Sequence, residues 1–306
     1  MAITVSPVKY EFDLKPGSAK YGQVTLFNET SVKQSYYPTS LNFSADGESG
    51  RQKFSDAKDV TGLNKWFSFG IEPITLGPGE YTEFDWSINV PESAESGGYS
   101  AVLLFSNLPA DAGAGSVGVG GRIGVIFLVN VTGDAKEGAE IESFKVIPEG
   151  DSLFRSTEVM TDKLPVDIEL RVKNTGGLHI VPKCEIKVTD IFGRESFLDV
   201  FPADGTILPG TIRRFHSRFG SKSATDGDFL YNLRNEWMEF TVGRYRAKAT
   251  VSYGSENQSI VAVSTFWILP WRTGLCLGII SVLLVLVING YNRKTVSAAR
   301  KKTGES

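Results

Sequence analysis

Chemistry in a protein chain is first sought where titratable and metal-ligating residues gather, and this chain offers few such places. It has two histidines, His179 and His216, and neither has a second ligand at a spacing that closes a metal site. His179 follows "NTGG" at the expected start of a strand, where a turn or packed histidine is the simpler reading. Glu83 and Asp85 are paired carboxylates of the kind that hydrolyse a glycan, but their alternation along one segment is that of a solvated strand face. "DGD", Asp226–Asp228, supplies two carboxylates where Ca²⁺ takes about 6–8 oxygens. "SVGVGG", with Gly118, Gly120 and Gly121, precedes a strand rather than a helix, so it reads as a hairpin tip and not a phosphate loop. No nucleophile elbow, zincin motif or Walker loop occurs. The expectation is a protein without catalytic chemistry, metal or cofactor.

The elements around these residues are strands. "GQVTLFN", "YYPTSLNF", "YSAVLLFS", "RIGVIFLVNV", "VDIELRVKN", "CEIKVTDI" and "YRAKATVSY" are short, rich in β-branched and aromatic residues, and separated by Gly, Pro, Asn and Asp. In "EYTEFDWSINV" the residues Thr82, Phe84, Trp86, Ile88 and Val90 alternate with Tyr81, Glu83, Asp85, Ser87 and Asn89, the period of a strand with one apolar face. "RIGVIFLVNV" is apolar almost throughout, which suggests burial on both faces; a central or last strand and an exposed edge that accepts a foreign strand both fit. One short helix is expected in "FLYNLRNEWMEF". Leu14–Gly17 form a turn between two strands.

The same order of events occurs twice: "LFNET" or "VKNTGG" at a strand end, then "LGPGE" or "LPGTIR" as a tight turn, then "GGYSAVLLF" or "VGRYRAKATVSY". The expected fold is all-β, two tandem immunoglobulin-like β-sandwich domains over 1–133 and 134–268, joined by the polar linker "TGDAKEGAE". One larger sandwich or barrel is the competing architecture.

Thr273 to Tyr291 carries no charge and at ~1.5 Å per helical residue reaches roughly 28 Å, close to the hydrocarbon thickness of a bilayer. A transmembrane helix is therefore expected over 269–291, with a basic tail over 292–306. Trp267, Trp271 and Tyr291 stand where aromatic residues anchor a span at its interfaces. Arg293, Lys294 and the basic residues beyond them outnumber Arg272 on the other flank, so the C-terminus is expected in the cytoplasm and the body outside. That orientation needs an export signal, and "MAITVSPVKYEF" is not one, so a leader trimmed or missed at the start is expected. The competing topology is a tail anchor with the body in the cytoplasm. The formal charge of −3 disfavours nucleic acid as a partner. Cys184 lies in the body and Cys276 in the span, so no internal disulfide is expected, and sequons at Asn28, Asn42, Asn130 and Asn257 would matter only in a eukaryotic host.

"SPVKYEFDLKPGSAKYGQVTLFNET", "FSFGIEPITLGPGEYTEFDWSINVPESAESGGYSAVLLFS" and "GRIGVIFLVNVTG" resemble the N-terminal domain of the bacterial WxL-interacting surface proteins and, more distantly, the first domain of pilus chaperones. The resemblance implies a membrane-anchored bacterial surface protein with a peptidoglycan-binding and a host-binding β domain. Its implied partners are cell-wall peptidoglycan or a surface protein, with the lipid bilayer. A chaperone-like strand acceptor, or an unrecognised cell-wall enzyme, is the alternative. Tyr36 and Tyr37 in "SYYPTS" are the candidate ligand-binding residues: neighbouring strand residues face opposite ways, so one of the two is expected outside, beside an edge-favouring Pro38.

Overall fold

A computed structural model describes residues 3–56, 61–108, 121–148, 159–161, 164–199, 205–220, 233–234 and 242–303. The first sandwich contains β1 (Ile3–Ser6), β2 (Lys9–Leu14), β3 (Ala19–Asn28), β4 (Gln34–Asp46), β5 (Arg51–Phe54), the short helix α1 (Gly62–Trp66), β6 (Phe67–Phe69), β7 (Ile74–Leu76), β8 (Tyr81–Asn89), β9 (Gly97–Ser106) and β10 (Arg122–Val131). One sheet has the order β1-β3-β8-β6; the other is β2-β10-β9-β4-β5, with β7 also on β4. The second sandwich contains β11 (Ala139–Pro148), β12 (Val159–Thr161), β13 (Val166–Asn174), β14 (Lys183–Thr189), β15 (Glu195–Asp199), β16 (Ile212–Phe219), β17 (Gly243–Tyr253) and β18 (Gln258–Ile268). Its sheets are β11-β13-β16 and β12-β18-β17-β14-β15. A long helix, α2 (Trp271–Thr303), follows.

The two orders are one order used twice. In each half the opening strand is divided between the sheets: β1 pairs with β3 and β11 with β13 antiparallel, whereas β2 joins β10 and β12 joins β18 in parallel. The two tandem immunoglobulin-like sandwiches expected from the sequence are the observed fold. The expected helix at 229–240 and the "DGD" segment fall, almost entirely, outside the described residues.

Strand alternation produces each core. On β8, Phe84, Trp86 and Ile88 are buried and Glu83, Asp85 and Asn89 exposed. Trp86 is ringed by Phe127 at 4.9 Å and Tyr10 at 5.0 Å between centroids, and it covers Gly22 so closely that a Cβ there would lie 2.3 Å from the indole. The second core centres on Tyr245 stacked on Phe266 at 5.3 Å. Each such buried aromatic contributes on the order of 1.5–3 kcal/mol.

The near-continuous apolar run of β10 has a specific cause. Val125, Phe127, Val129 and Val131 enter the first core, whereas Leu128 and Ile126 face outward into a second cluster with Leu41, Phe43, Val102 and Leu104, against which Leu208 of the second sandwich packs. Both faces are covered because another domain sits on one of them.

The two Asn-bearing strand ends are clamps. Asn28, fully buried, donates from Nδ2 to the carbonyls of Val32 (3.0 Å), Leu76 (3.1 Å) and Gly77 (3.0 Å), and its Oδ1 accepts the Thr30 N–H at 3.0 Å. Asn174, equally buried, donates to the carbonyls of Leu178 (2.7 Å) and Ile207 (2.9 Å) and accepts the Gly176 N–H at 2.9 Å. Each fastens a Pro-Gly turn whose glycine, Gly79 or Gly210, has φ near +70°. The tight turn "LGPGE" closes no hairpin: β7 pairs with β4 in one sheet and β8 with β3 in the other, so the turn carries the chain across the sandwich.

Candidate functional site

The two sandwiches meet in a joint that no single motif announces. The segment after Asn174 reaches across to the first sandwich, where the Gly98 N–H donates to the Gly177 carbonyl at 2.7 Å and the His179 N–H to Asn130 Oδ1 at 2.8 Å. Gly98 permits this approach, since a Cβ there would fall 2.9 Å from Pro209 Cγ and 3.1 Å from His179 Cε1. From the other side the β4–β5 turn presents Glu48, which accepts hydrogen bonds from Arg171 in fork geometry and from Arg214 Nη2 at 2.9 Å. Its carboxyl is held down to about 2, chiefly by the Arg171 hydrogen bond. The linker is fastened as well: the Ala135 N–H donates to Ser96 Oγ at 3.0 Å and the Gly177 N–H to the Lys136 carbonyl at 2.9 Å. The joint leaves a cleft of about 300 Å³ between Phe43, Ile126 and Leu128 on one side and Leu208 and Arg213 on the other.

His179 is therefore a packed joint residue. The residue is 8% exposed, both ring nitrogens are buried with no hydrogen-bond partner among the described residues, and burial pushes its pKa down to about 4. His216 is exposed on β16, opposite Glu169. Glu83 and Asp85 lie on the solvated face of β8, where Gln23 Nε2 donates to Asp85 at 2.9 Å. Cys184 packs at the rim of the second core, where burial raises its thiol pKa to about 12, and both cysteines are free.

The tyrosine pair divides as strand geometry requires, but not to the advantage of a glycan. Tyr36 is a core residue, 2% exposed, with its hydroxyl donating to Asn28 Oδ1 at 3.3 Å, so it is unavailable as a ligand contact. Tyr37 faces the other way and is half-buried. Pro38 lies where β4 is paired by β9 alone, between the stretch held by β7 and the stretch held by β5, the only kind of place a ladder tolerates it. The Asn28 sequon is accounted for by the clamp rather than by modification.

Open strand edge is the feature of the molecule best suited to binding. β2 covers Ile126–Val131, so β10 is paired on one side only over Arg122–Val125 among the described residues. Among the described residues the longer stretch paired on one side only is on β18, which the sequence reading did not single out. β17 pairs with it along its whole length, but β12 covers only Phe266–Ile268. Among the described residues Gln258–Thr265 therefore has one unpartnered edge, with Val261 and Val263 standing 51% and 44% exposed. Apolar residues on both parities of "SIVAVST" were the available signal.

Among the described residues one helix is long and apolar enough to cross a membrane, Trp271–Lys294, with mean hydropathy 2.3. α2 starts two residues after the expected 269 and runs through Thr303, so the expected separate tail begins as a continuation of the helix. Trp267 is half-buried at the end of β18; Trp271, Tyr291, Arg293 and Lys294 are exposed on α2.

No family model and no curated protein matches the chain. Among solved structures it is similar to the class 5 fimbriae chaperone CfaA, at 10% identity and a TM-score of 0.42 over 86% of this chain and 99% of that one. It is also similar to the CsuC–CsuE chaperone–tip adhesion subunit complex of Acinetobacter baumannii, at 12% identity and a TM-score of 0.38 over 86% and 98%, and to the E. coli chaperone DraB, at 11% and 0.37 over 87% and 96%. None of these matches carries the resemblance to WxL-interacting proteins.

Proposed function

We propose that this chain is a membrane-anchored binding protein without catalytic chemistry, whose body lies outside the cell and whose ligand is an extended segment of another surface protein. The observation that carries the reading is the stretch Gln258–Thr265 of β18, which among the described residues is hydrogen-bonded to a neighbouring strand on one side only. Its main-chain groups over Gln258–Thr265 offer a partner strand the hydrogen bonds that β17 already makes on the other side. Val261 and Val263 give such a segment an apolar row to match, and Arg246 and Lys248 on neighbouring β17 favour a partner with acidic residues between its apolar ones. Because β18 runs into α2 with only Leu269 and Pro270 between, the captured segment would lie close to the membrane. This role takes the place of glycan binding, for which Tyr36 is unavailable.

Photo-crosslinking in membranes of the producing cell tests the reading. A photoreactive phenylalanine analogue at Val261 or Val263 is expected to give a discrete adduct with an extracytoplasmic protein. The same analogue at Tyr81, exposed on the first sandwich, is expected to give none. Adducts equal at all three positions, or none together with sedimentation of the protein on insoluble peptidoglycan, overturn it.

A further inference from the structure

The hairpins at opposite ends of one sheet differ in a way the fold does not require. β17 and β18 are joined at Gly254–Asn257 by a polar tip, with Ser255, Glu256 and Asn257 all exposed. β14 and β15 are joined at the other end by Asp190–Ile191–Phe192–Gly193–Arg194. That reversal is built stiffly: the Asp190 N–H donates to the Arg194 carbonyl and the Gly193 N–H to the Asp190 carbonyl, both at 3.1 Å. Asp190 Oδ1 accepts the N–H of Phe192 at 2.9 Å and of Arg194 at 2.8 Å, and Gly193 takes the φ of +77° that closes such a turn. The two residues at its tip, where turns normally carry polar or small side chains, are instead isoleucine and phenylalanine. They are 52% and 63% exposed.

Strand register shows where this tip lies. Thr189 pairs with Arg246, Arg246 with Thr265, and Gly243 with Ile268, so the hairpin projects from the end of the sheet at which β18 finishes. Ile191 itself lies over Gly243, close enough that a Cβ there would be 2.8 Å from its Cδ1. Only β17 lies between β14 of the hairpin and β18, two strand spacings or roughly 10 Å across the sheet at ~4.8 Å per spacing. The chain enters α2 just beyond Ile268, and Leu269 and Trp271 are exposed at the same end. The charges beside the tip are balanced: Arg194 pairs with Asp190 and stacks on Phe192 at 5.4 Å, which lowers the cost of bringing the hairpin to an interface.

From this geometry we infer that Ile191 and Phe192 dip into the interfacial layer of the bilayer that α2 crosses, so that the second sandwich is held on the membrane at two points instead of swinging from one. The inference rests on the reading of α2 as a membrane span. A rigid apolar tip at the level of a span's entry finds in that layer the environment that suits Phe and Ile, where water would leave them unsatisfied. The lipid surface is the occupant because it is continuous with the span; the polar tip at Gly254–Asn257 faces away from it.

Spin labels on the full chain, reconstituted in phosphatidylcholine vesicles containing phosphatidylglycerol and with both native cysteines replaced by alanine, test this. Labels are placed singly through Phe192→Cys, Glu256→Cys and Val282→Cys, and relaxation by oxygen is compared with relaxation by a water-soluble nickel chelate. The expected result is that the Phe192 label favours oxygen at interfacial depth, the Val282 label favours it more strongly, and the Glu256 label favours the chelate. If the Val282 label lies in lipid but the Phe192 label matches Glu256, the span stands and the inference is overturned. If the Val282 label is also aqueous, the span and the inference fall together.

Discussion

Asn28 and Asn174 occupy the same place in two copies of one fold, yet they secure different things. Both end the third strand of their sandwich, both are sealed from water, and both tie a Pro-Gly turn to that strand: the Asn28 N–H donates to the Glu80 carbonyl, and the Asn174 N–H to the Thr211 carbonyl, each at 2.9 Å. The segment after Asn28 turns back on its own sandwich and is closed by Thr30 and the Tyr36 hydroxyl. The segment after Asn174 is aimed outward and carries Gly177 and His179 onto the first sandwich. A clamp that closes a fold in one copy thus builds an interdomain joint in the other. What decides between the two uses is the side chains that follow it, because the backbone bonds are the same.

The largest effects are expected from removing the clamps. Asn28→Ala and Asn174→Ala each leave several buried carbonyls or amides unsatisfied, at a cost of about 3 kcal/mol. If the comparison is right, calorimetry finds both variants destabilised by similar amounts, but only Asn174→Ala makes the 132–138 linker sensitive to protease under native conditions. Equal linker cleavage in both variants would erase the distinction.

Of the two clamp regions, acid should act on the one around Asn174, through His179. His179 is neutral in the joint with a folded pKa of about 4, against 6.5 for a free histidine, so its contribution is fully present above pH 6.5 and is lost as pH falls through about 4. The loss amounts to about 3 kcal/mol across that window. Native-state proteolysis of the linker at a series of pH values is expected to rise across it, and His179→Phe to flatten the rise. Gly98→Ala probes the same contact sterically; its methyl group meets Pro209 and His179, and overpacking of this kind costs about 1–3 kcal/mol.

Much of this was legible in the sequence because it depends on local pattern. The alternation in β8, the paired "LFNET" and "VKNTGG" strand ends and the doubled Pro-Gly turns follow from backbone rules that a short window displays. The joint depends on residues far apart in the chain, Glu48 with Arg171 and Gly98 with Gly177, and no window contains both partners. β10 shows the ambiguity well: its all-apolar run suited a buried strand first and left an open edge as the alternative, and it is mostly the former because Leu208, some eighty residues away by sequence number, packs against its outer cluster. Tyr36 and Tyr37 were separable by parity, but which of them faced inward was fixed by Asn28, whose burial only the fold reveals.

The smallest effect is expected at Glu48, and it sharpens the comparison by separating two parts of one joint. Arg171 and Arg214 stay partly in water while they grip the carboxylate, so solvent and salt screen the pair, and Glu48→Gln should loosen the linker less than any change above. Its pH window differs too. A carboxyl held at about 2 contributes stability that is present above its ordinary value of 4.5 and is lost as pH falls through about 2. Of these two groups, His179 loses its contribution between pH 6.5 and about 4 and Glu48 between pH 4.5 and about 2. Linker proteolysis should therefore rise in two steps, the upper abolished by His179→Phe, the lower by Glu48→Gln and weakened by added salt. A single step that either variant removes entirely would show the joint to open as one unit, with the His179 and Glu48 contacts inseparable.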